Sequence, residues 1–200
     1  MNKSRRLVMI GATTSAIAPQ LLLSSAQARE QSCEEPTGHD IEGPFFRDAA
    51  PERSLLRTGG ETQLLDLEGT VLDAITCRPV AGATVNIWHA NSAGEYDLGQ
   101  GLNYHGFTMT SHSGAYRFKT CRPAPYTDGG LDRPAHIHFK VRASGYMPLT
   151  TQMYFAGDSR LKNDQFVIEN DGLKRVVKPV LIANQHELAK FHVILVPNTR

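Results

Sequence analysis

Short runs rich in Val, Ile, Thr, Phe and Tyr, separated by turn residues, dominate the chain from Gln63 onward. Such runs are typical of β-strands, and their close spacing indicates a sandwich or a barrel. No long segment has the apolar period of an amphipathic helix, and only a helical turn or two is expected, around residues 184–190. The sequence therefore predicts an all-β fold. The expected strands cover residues 64–74, 83–89, 106–110, 115–119, 136–142, 149–155, 174–178 and 190–196.

Residues 29–62 differ because proline and glycine recur too closely for a regular period. We expect an irregular N-terminal arm there, followed over residues 63–200 by one two-sheet sandwich with long loops. The strand, tight turn and strand over residues 69–85 are similar to transthyretin-like and immunoglobulin-like sandwiches, which include many binding modules without catalysis. The residues that interrupt the arm are Pro36, Gly38, Gly43, Pro44, Pro51, Gly59 and Gly60.

The first 28 residues have the features of an export signal. Adjacent Arg5 and Arg6 precede an apolar stretch over residues 7–23, and Ala26-Gln27-Ala28 forms a small-x-small cleavage site. The paired arginines predict the twin-arginine route, which exports folded proteins. Polar residues dilute the apolar stretch below the length of a membrane span. We expect a periplasmic or secreted protein with no membrane association after cleavage.

Charge gives no sign of a nucleic-acid partner. The formal net charge of the whole chain is +1, and the part after residue 28 carries 18 basic against 20 acidic residues. A nucleic-acid-binding domain usually shows a strongly basic balance or patch. No nucleic-acid partner is therefore expected, and a homo-oligomer is left open.

Three cysteines follow the signal, as expected for an oxidising compartment, and three disulfide pairings are open. Cys77 with Cys121 is favoured weakly, because both end candidate strands. The alternatives are a pairing that uses Cys33, or buried free thiols.

His136 and His138 lie in a predicted strand, where side chains two residues apart share a face. Both can therefore reach one metal ion, although strand histidines are more often ordinary surface or core residues. The remaining ligands would distinguish the metals. Zinc favours further His, Cys or carboxylate, and a copper electron-transfer site needs Cys and Met.

Tyrosines near these histidines favour iron(III). A phenol with an ordinary pKa near ~10 ionises at neutral pH only when a strongly charged cation replaces its proton. Spacing alone does not choose among the six tyrosines of the chain. They are Tyr96, Tyr104, Tyr116, Tyr126, Tyr146 and Tyr154.

Several motifs in register resemble the intradiol ring-cleavage dioxygenases. They are Trp88-His89-Ala90-Asn91-Ser92-Ala93-Gly94-Glu95-Tyr96, Pro123-Ala124-Pro125-Tyr126 and Arg133-Pro134-Ala135-His136-Ile137-His138-Phe139. Ile41-Glu42-Gly43-Pro44-Phe45-Phe46 and the segment 149–158 resemble the family on either side. Within that family, the motifs look most like those of the protocatechuate 3,4-dioxygenase branch. After Tyr126, however, Thr127-Asp128-Gly129-Gly130 replaces the more aromatic continuation of that branch.

The resemblance implies a non-haem iron(III) enzyme in which the domain at 63–200 is catalytic. It would insert both atoms of O2 into a catechol-type substrate, protocatechuate or a related catechol, and open the ring to a muconate-type diacid. The implied metal ligands are Tyr96, Tyr126, His136 and His138.

The same resemblance implies three catalytic side chains. Tyr126 would leave the metal and accept a substrate proton. Arg133 would stabilise negative charge on the substrate, since its guanidinium is permanently charged. Gln152 would orient a ligand or the reacting oxygens. The alternatives are a binding module without chemistry, and a zinc or manganese site on the same strand.

Overall fold

The computed structural model describes residues 35–198 of the chain. Two five-stranded sheets pack face to face, which confirms the predicted all-β sandwich. The first sheet contains β1 (Leu64–Asp73), β4 (Ala115–Cys121), β10 (Val180–Ala183), β11 (His186–Lys190) and β12 (Val193–Leu195). The second contains β2 (Thr84–Trp88), β3 (His105–Met109), β7 (His136–Arg142), β8 (Leu149–Phe155) and β9 (Val176–Val177).

Strand β1 organises the first sheet. It runs antiparallel to β4 on one side and parallel to β11 and then β12 on the other. Its burial alternates strictly along ten residues, as expected for a strand with one face in a core. In the second sheet the order is β3, β2, β7, β8 and β9, which places β7 at the centre.

The apolar core lies between the two sheets. Ile137, Phe139 and Val141 of β7 belong to it, and each is fully buried. Because successive side chains of a strand point to opposite faces, His136 and His138 lie on the other face of the same sheet. Strand β7 thus has one apolar face in the core and one polar face. The histidines of the polar face are buried as well.

The N-terminal arm, described from residue 35, covers that second face. Its backbone bonds to both sheets: the amide of Asp40 donates to Thr150 of β8 at 2.9 Å, and the amide of Leu56 donates to Lys119 of β4 at 2.8 Å. The arm has no regular secondary structure at these positions, and these bonds satisfy the hydrogen-bonding requirement of its amides. The arm is therefore tied to the sandwich at several points along its length.

Several short elements depart from the sequence expectations. Residues 186–190 form strand β11 and not a helical turn, because they pair in parallel with β1. A two-stranded ribbon, β5 (Tyr126–Asp128) and β6 (Leu131–Arg133), precedes β7 and was not expected. Between β8 and β9 lie a short helix, α1 (Gln165–Glu169), and two 3-10 turns, Ser159–Lys162 and Gly172–Arg175.

The favoured disulfide is wrong. Cys121 is a free, fully buried cysteine at the end of β4, while Cys77 is disulfide-bonded. The two pairings that use Cys121 are therefore excluded. Cys33 and the expected signal at residues 1–28 lie outside the described residues. Within residues 35–198, no helix is long and apolar enough to cross a membrane.

Candidate active site

Two buried imidazoles of β7 face each other. The Nε2 atoms of His136 and His138 lie 3.1 Å apart, and the residues are 2% and 1% exposed. Nδ1 of His136 lies 2.7 Å from the carbonyl oxygen of Pro134, which fixes it as the N–H donor of a neutral ring. The Nε2 lone pair is then directed into the space between the rings, as in histidines that bind metals.

Tyr96 reaches this space from the long loop between β2 and β3. Its hydroxyl lies 3.4 Å from Nε2 of His136. The loop is shaped by Asn91, whose side-chain oxygen accepts hydrogen bonds from the amides of Ala93 and Glu95. Gly94 has a positive φ of 83°, which an L side chain rarely adopts.

Tyr126 arrives from the first position of β5. Its ring meets that of Tyr96 edge to face, with centroids 5.6 Å apart and planes at 89°. A Cβ atom on Gly94 would lie 3.0 Å from the Pro125 carbonyl and 3.1 Å from Cβ of Tyr126. The glycine therefore lets the two tyrosine loops approach closely enough for both phenols to share one site.

In the absence of a cation, burial favours the uncharged form of the two histidines and the two tyrosines. It lowers the pKa of His136 to about 3, with help from the charge of Arg133, and it lowers the pKa of His138 well below the ordinary value. Burial and the neighbouring Tyr126 raise the pKa of Tyr96 well above 10, and burial also raises the pKa of Tyr126. Two neutral nitrogens and two phenols thus converge at one point.

Arg133 is buried and not a surface residue. Its Nε donates to Asp164 at 2.6 Å, and its Nη2 donates to the side-chain oxygen of Gln152 at 2.9 Å. Burial opposes its charge, but Asp164 raises the pKa of Arg133 above its ordinary value. Arg133 pairs with Tyr126 across the β5–β6 ribbon, so a permanent positive charge lies beside the tyrosine loop.

The register of the second sheet places Gln152 beside the histidines. Gln152 of β8 pairs with His138, and Tyr154 pairs with His136. The side chain of Gln152 is fully buried and fixed at both ends, because its oxygen accepts from Arg133 and its nitrogen donates to the carbonyl of Ile41 at 3.0 Å. All six residues predicted for the site are therefore brought together.

The arm contributes residues to which the sequence assigned no site role. Phe45 stacks on Tyr96 with ring centroids 4.1 Å apart, and a Cβ atom on Gly43 would lie 3.4 Å from Cε1 of His138. Asp40 and Arg175 form a second buried ion pair nearby. The segment 41–46 resembles the family, but its contacts with the site, and the pairing of Asp40 with Arg175 of the second 3-10 turn, form only through folding.

The donor set distinguishes between metals. Within residues 35–198, no group of three or more His, Cys, Asp and Glu side chains could hold a metal ion. The site is completed by phenols, so the residues fit iron(III) better than the zinc-type alternative. Two other histidines, His89 and His105, are buried as well. His89 has both nitrogens occupied, by the Ala90 carbonyl and by the hydroxyl of Thr120, and Nε2 of His105 lies 3.1 Å from the side-chain oxygen of Asn86.

Comparison with known proteins agrees with this geometry. A family model described as "Dioxygenase" matches residues 41–193. A chlorocatechol 1,2-dioxygenase of Rhodococcus opacus is 30% identical over 81% of this chain and 73% of its own length. Cleavage at positions 1,2 of a catechol breaks the bond between its two hydroxyl-bearing carbons. The chain belongs to the intradiol ring-cleavage dioxygenase family.

Further relatives support the family and the fold. A chlorocatechol 1,2-dioxygenase of Cupriavidus pinatubonensis is 35% identical over 62% of this chain, but only 56% of that relative is covered. The chain thus spans little more than half the length of several curated family members. The solved dioxygenase domain of a fusion protein with a carbohydrate-binding module, from Streptomyces sp. SirexAA-E, superposes with a TM-score of 0.71 at 28% identity, covering 82% of this chain and 99% of that domain.

Proposed function

We propose that this protein is an iron(III) intradiol dioxygenase that cleaves catechols with O2. The observation that carries the proposal is the convergence of Tyr96, Tyr126, His136 and His138 around one point. The named activities of the catechol and chlorocatechol 1,2-dioxygenase relatives support the reaction class. The ring would open between the hydroxyl-bearing carbons to a muconate-type diacid that carries both oxygen atoms.

Charge balance supports iron(III) in this donor set. Two tyrosinates and one hydroxide neutralise a 3+ ion, so the centre would carry no net charge in a low-dielectric interior. The two histidines would bind as neutral rings, consistent with the lowered pKa of His136. When bound, the ion would supply Lewis acidity and a template for the two catechol oxygens.

The two tyrosines differ in how they are held, which supports different roles. Tyr96 is stacked against Phe45 at 4.1 Å, whereas Tyr126 makes only an edge contact with that ring at 6.4 Å. Tyr126 also begins the short β5–β6 ribbon, which is a separate two-stranded sheet. We therefore assign Tyr126 as the residue that would help to hold the metal and would accept one proton from a bound catechol.

Arg133 and Gln152 complete the assignment. Burial raises the pKa of Tyr126, but the charge of Arg133 lowers it, so the same guanidinium would stabilise negative charge that develops on the substrate during the reaction. Gln152 holds Arg133 through its side-chain oxygen. Protocatechuate, catechol and chlorocatechol all remain candidate substrates, and export through the twin-arginine route remains a prediction.

Visible absorption and oxygen uptake test the proposal together. The iron-loaded protein should absorb in the visible through tyrosinate-to-iron(III) charge transfer, and a catechol added without oxygen should shift the band. Oxygen uptake is then measured with catechol, chlorocatechols and protocatechuate, and the product is identified. A protein that stays colourless and inactive after reconstitution with iron would refute the proposal and leave the non-catalytic sandwich as the alternative.

A further inference from the structure

A buried polar network extends from Arg133 to the N-terminal arm. Arg133 pairs with Asp164 and Arg175 pairs with Asp40, each at 2.6 Å, and all four side chains are 6% exposed or less. Gln152 lies between the pairs, since its oxygen accepts from Arg133 at 2.9 Å and its nitrogen faces Asp40 at 3.3 Å. The two ion pairs are therefore connected through one amide.

The carboxylate of Asp40 accepts several hydrogen bonds, and not only one that attaches the arm to the sheet. Its Oδ2 accepts from Arg175 at 2.6 Å and from the hydroxyl of Tyr154 at 2.8 Å, and its Oδ1 accepts from the Ile41 amide at 2.7 Å. The same Tyr154 hydroxyl lies 3.1 Å from the oxygen of Gln152. Asp40 thus bonds both to the amide and to the tyrosine beside it.

These contacts define the orientation of the Gln152 amide. A flipped amide would place its NH2 group against the donors of Arg133 and its oxygen against the carboxylate of Asp40 and the carbonyl of Ile41. Both contacts would be repulsive, because donor would meet donor and acceptor would meet acceptor. Arg175 also donates from Nε to the backbone carbonyl of Gln152 at 3.0 Å, which fixes the residue from its other side.

Stability alone does not account for the pair formed by Asp40 and Arg175. Burying two charges costs desolvation, and well-packed apolar replacements are often equally stable or more stable. A pair at this location does, however, set a direction for the amide that holds Arg133. Precise placement of a charged group near the reacting atoms has a large effect on rate.

We propose that Asp40 and Arg175 are positioning residues, which act through Gln152 to hold the Arg133 guanidinium beside Tyr126 and the proposed catechol site. The inference rests on the proposed catechol dioxygenase function. Neither residue needs to touch the substrate or the metal. Their loss should slow turnover of bound catechol and leave its binding unchanged.

The test compares kcat, KM and anaerobic catechol binding in the iron-loaded full chain. The variant D40N/R175Q removes both charges together, so no unpaired buried charge is left. We expect kcat to fall about ten-fold, with KM and the optical Kd for catechol within about two-fold of wild type. The control T37V removes the side-chain oxygen that accepts from the Ile194 amide at 2.9 Å, and it should leave kcat unchanged.

Combination with Q152A separates positioning from general damage to the arm. If Asp40 acts through Gln152, D40N/R175Q should change kcat less than about two-fold in the Q152A background. An equal loss in both backgrounds, or an equal loss in T37V, would overturn the proposal. The variant Y154F tests the same coupling without changing a charge. It should lower kcat about three-fold in the wild-type background and leave kcat unchanged in the Q152A background.

A crystal structure of the iron-loaded D40N/R175Q protein supplies a readout independent of turnover. We expect the Gln152 amide to be reoriented and its oxygen to move beyond hydrogen-bond distance of Arg133. If D40N/R175Q does not fold, the Y154F protein is used for the same measurement. An unchanged contact in the variant structure would overturn the positioning role. Absence of turnover in wild type would instead refute the proposed function, and the crystallographic comparison would still decide the contact.

Discussion

The indole of Trp88 lies parallel to the imidazole of His138, with ring centroids 4.8 Å apart and 7° between their planes. The two residues are paired across β2 and β7. Trp88 therefore packs on the site side of the second sheet, where Phe46 of the arm also contacts it. Tryptophan is used here to hold one candidate ligand ring in a fixed plane.

Replacing Trp88 with phenylalanine should loosen that ring. Trp88 is 1% exposed, so the smaller ring leaves unfilled space and loses part of the stack. We expect the free energy of unfolding to fall by about 1–3 kcal/mol, measured by urea denaturation. The control L173A truncates a side chain that is 61% exposed and should stay within ~0.5 kcal/mol of wild type. Equal stability of W88F and wild type would contradict the packing role.

A matched pair of histidines tests the metal ligands. His138 and His89 are both 1% exposed, but only His138 faces His136, whereas His89 is bonded to Thr120 and Ala90. H138A should reduce bound iron to about a tenth or less, because one of four ligands is lost. H89Q should retain a full equivalent, as measured by elemental analysis. Equal iron in both variants would refute the ligand assignment.

Tyr126 and Tyr116 form a second matched pair. Y126F should keep iron, lose part of the visible absorption and turn over catechol at least about ten-fold more slowly, since one proton acceptor is removed. Tyr116 is buried, and its hydroxyl donates to the Phe191 carbonyl, away from the site. Y116F should therefore keep the wild-type spectrum. An unchanged spectrum in Y126F would show that Tyr126 does not bind the metal.

Acid should destabilise the metal-free protein through its buried histidines. Burial lowers the pKa of His89 to about 4, so between pH ~6.5 and ~4 the unfolded chain binds a proton that the folded chain does not. Stability is therefore lost as pH falls through this window. H89Q removes one such group, and its stability should depend on pH less steeply by about 1.4 kcal/mol per pH unit. Urea denaturation at several pH values measures the slope, and identical slopes would contradict the assignment.

Local sequence pattern determined much of the sandwich. Alternation along β1 and β7 follows from the period of two in a strand, and this period alone places His136 and His138 on one face. The Arg133 to Phe139 motif and its neighbours also indicated the family. The helical turn expected around residues 184–190 is wrong, because residues 186–190 pair in parallel with β1, and this long-range contact overrides local preference.

Only the tertiary structure decided what surrounds those histidines. Spacing could not choose among six tyrosines, and the choice depends on two loops that meet where Gly94 permits a close approach. The sequence also did not indicate that Asp40 pairs with Arg175, 135 residues away. It did not indicate that Cys121 is a free thiol. The sequence determined the strand pattern, the family and one face of β7, because these depend on neighbouring residues. The complete site depends on contacts between distant segments, which form only when the arm and loops fold onto the sheet.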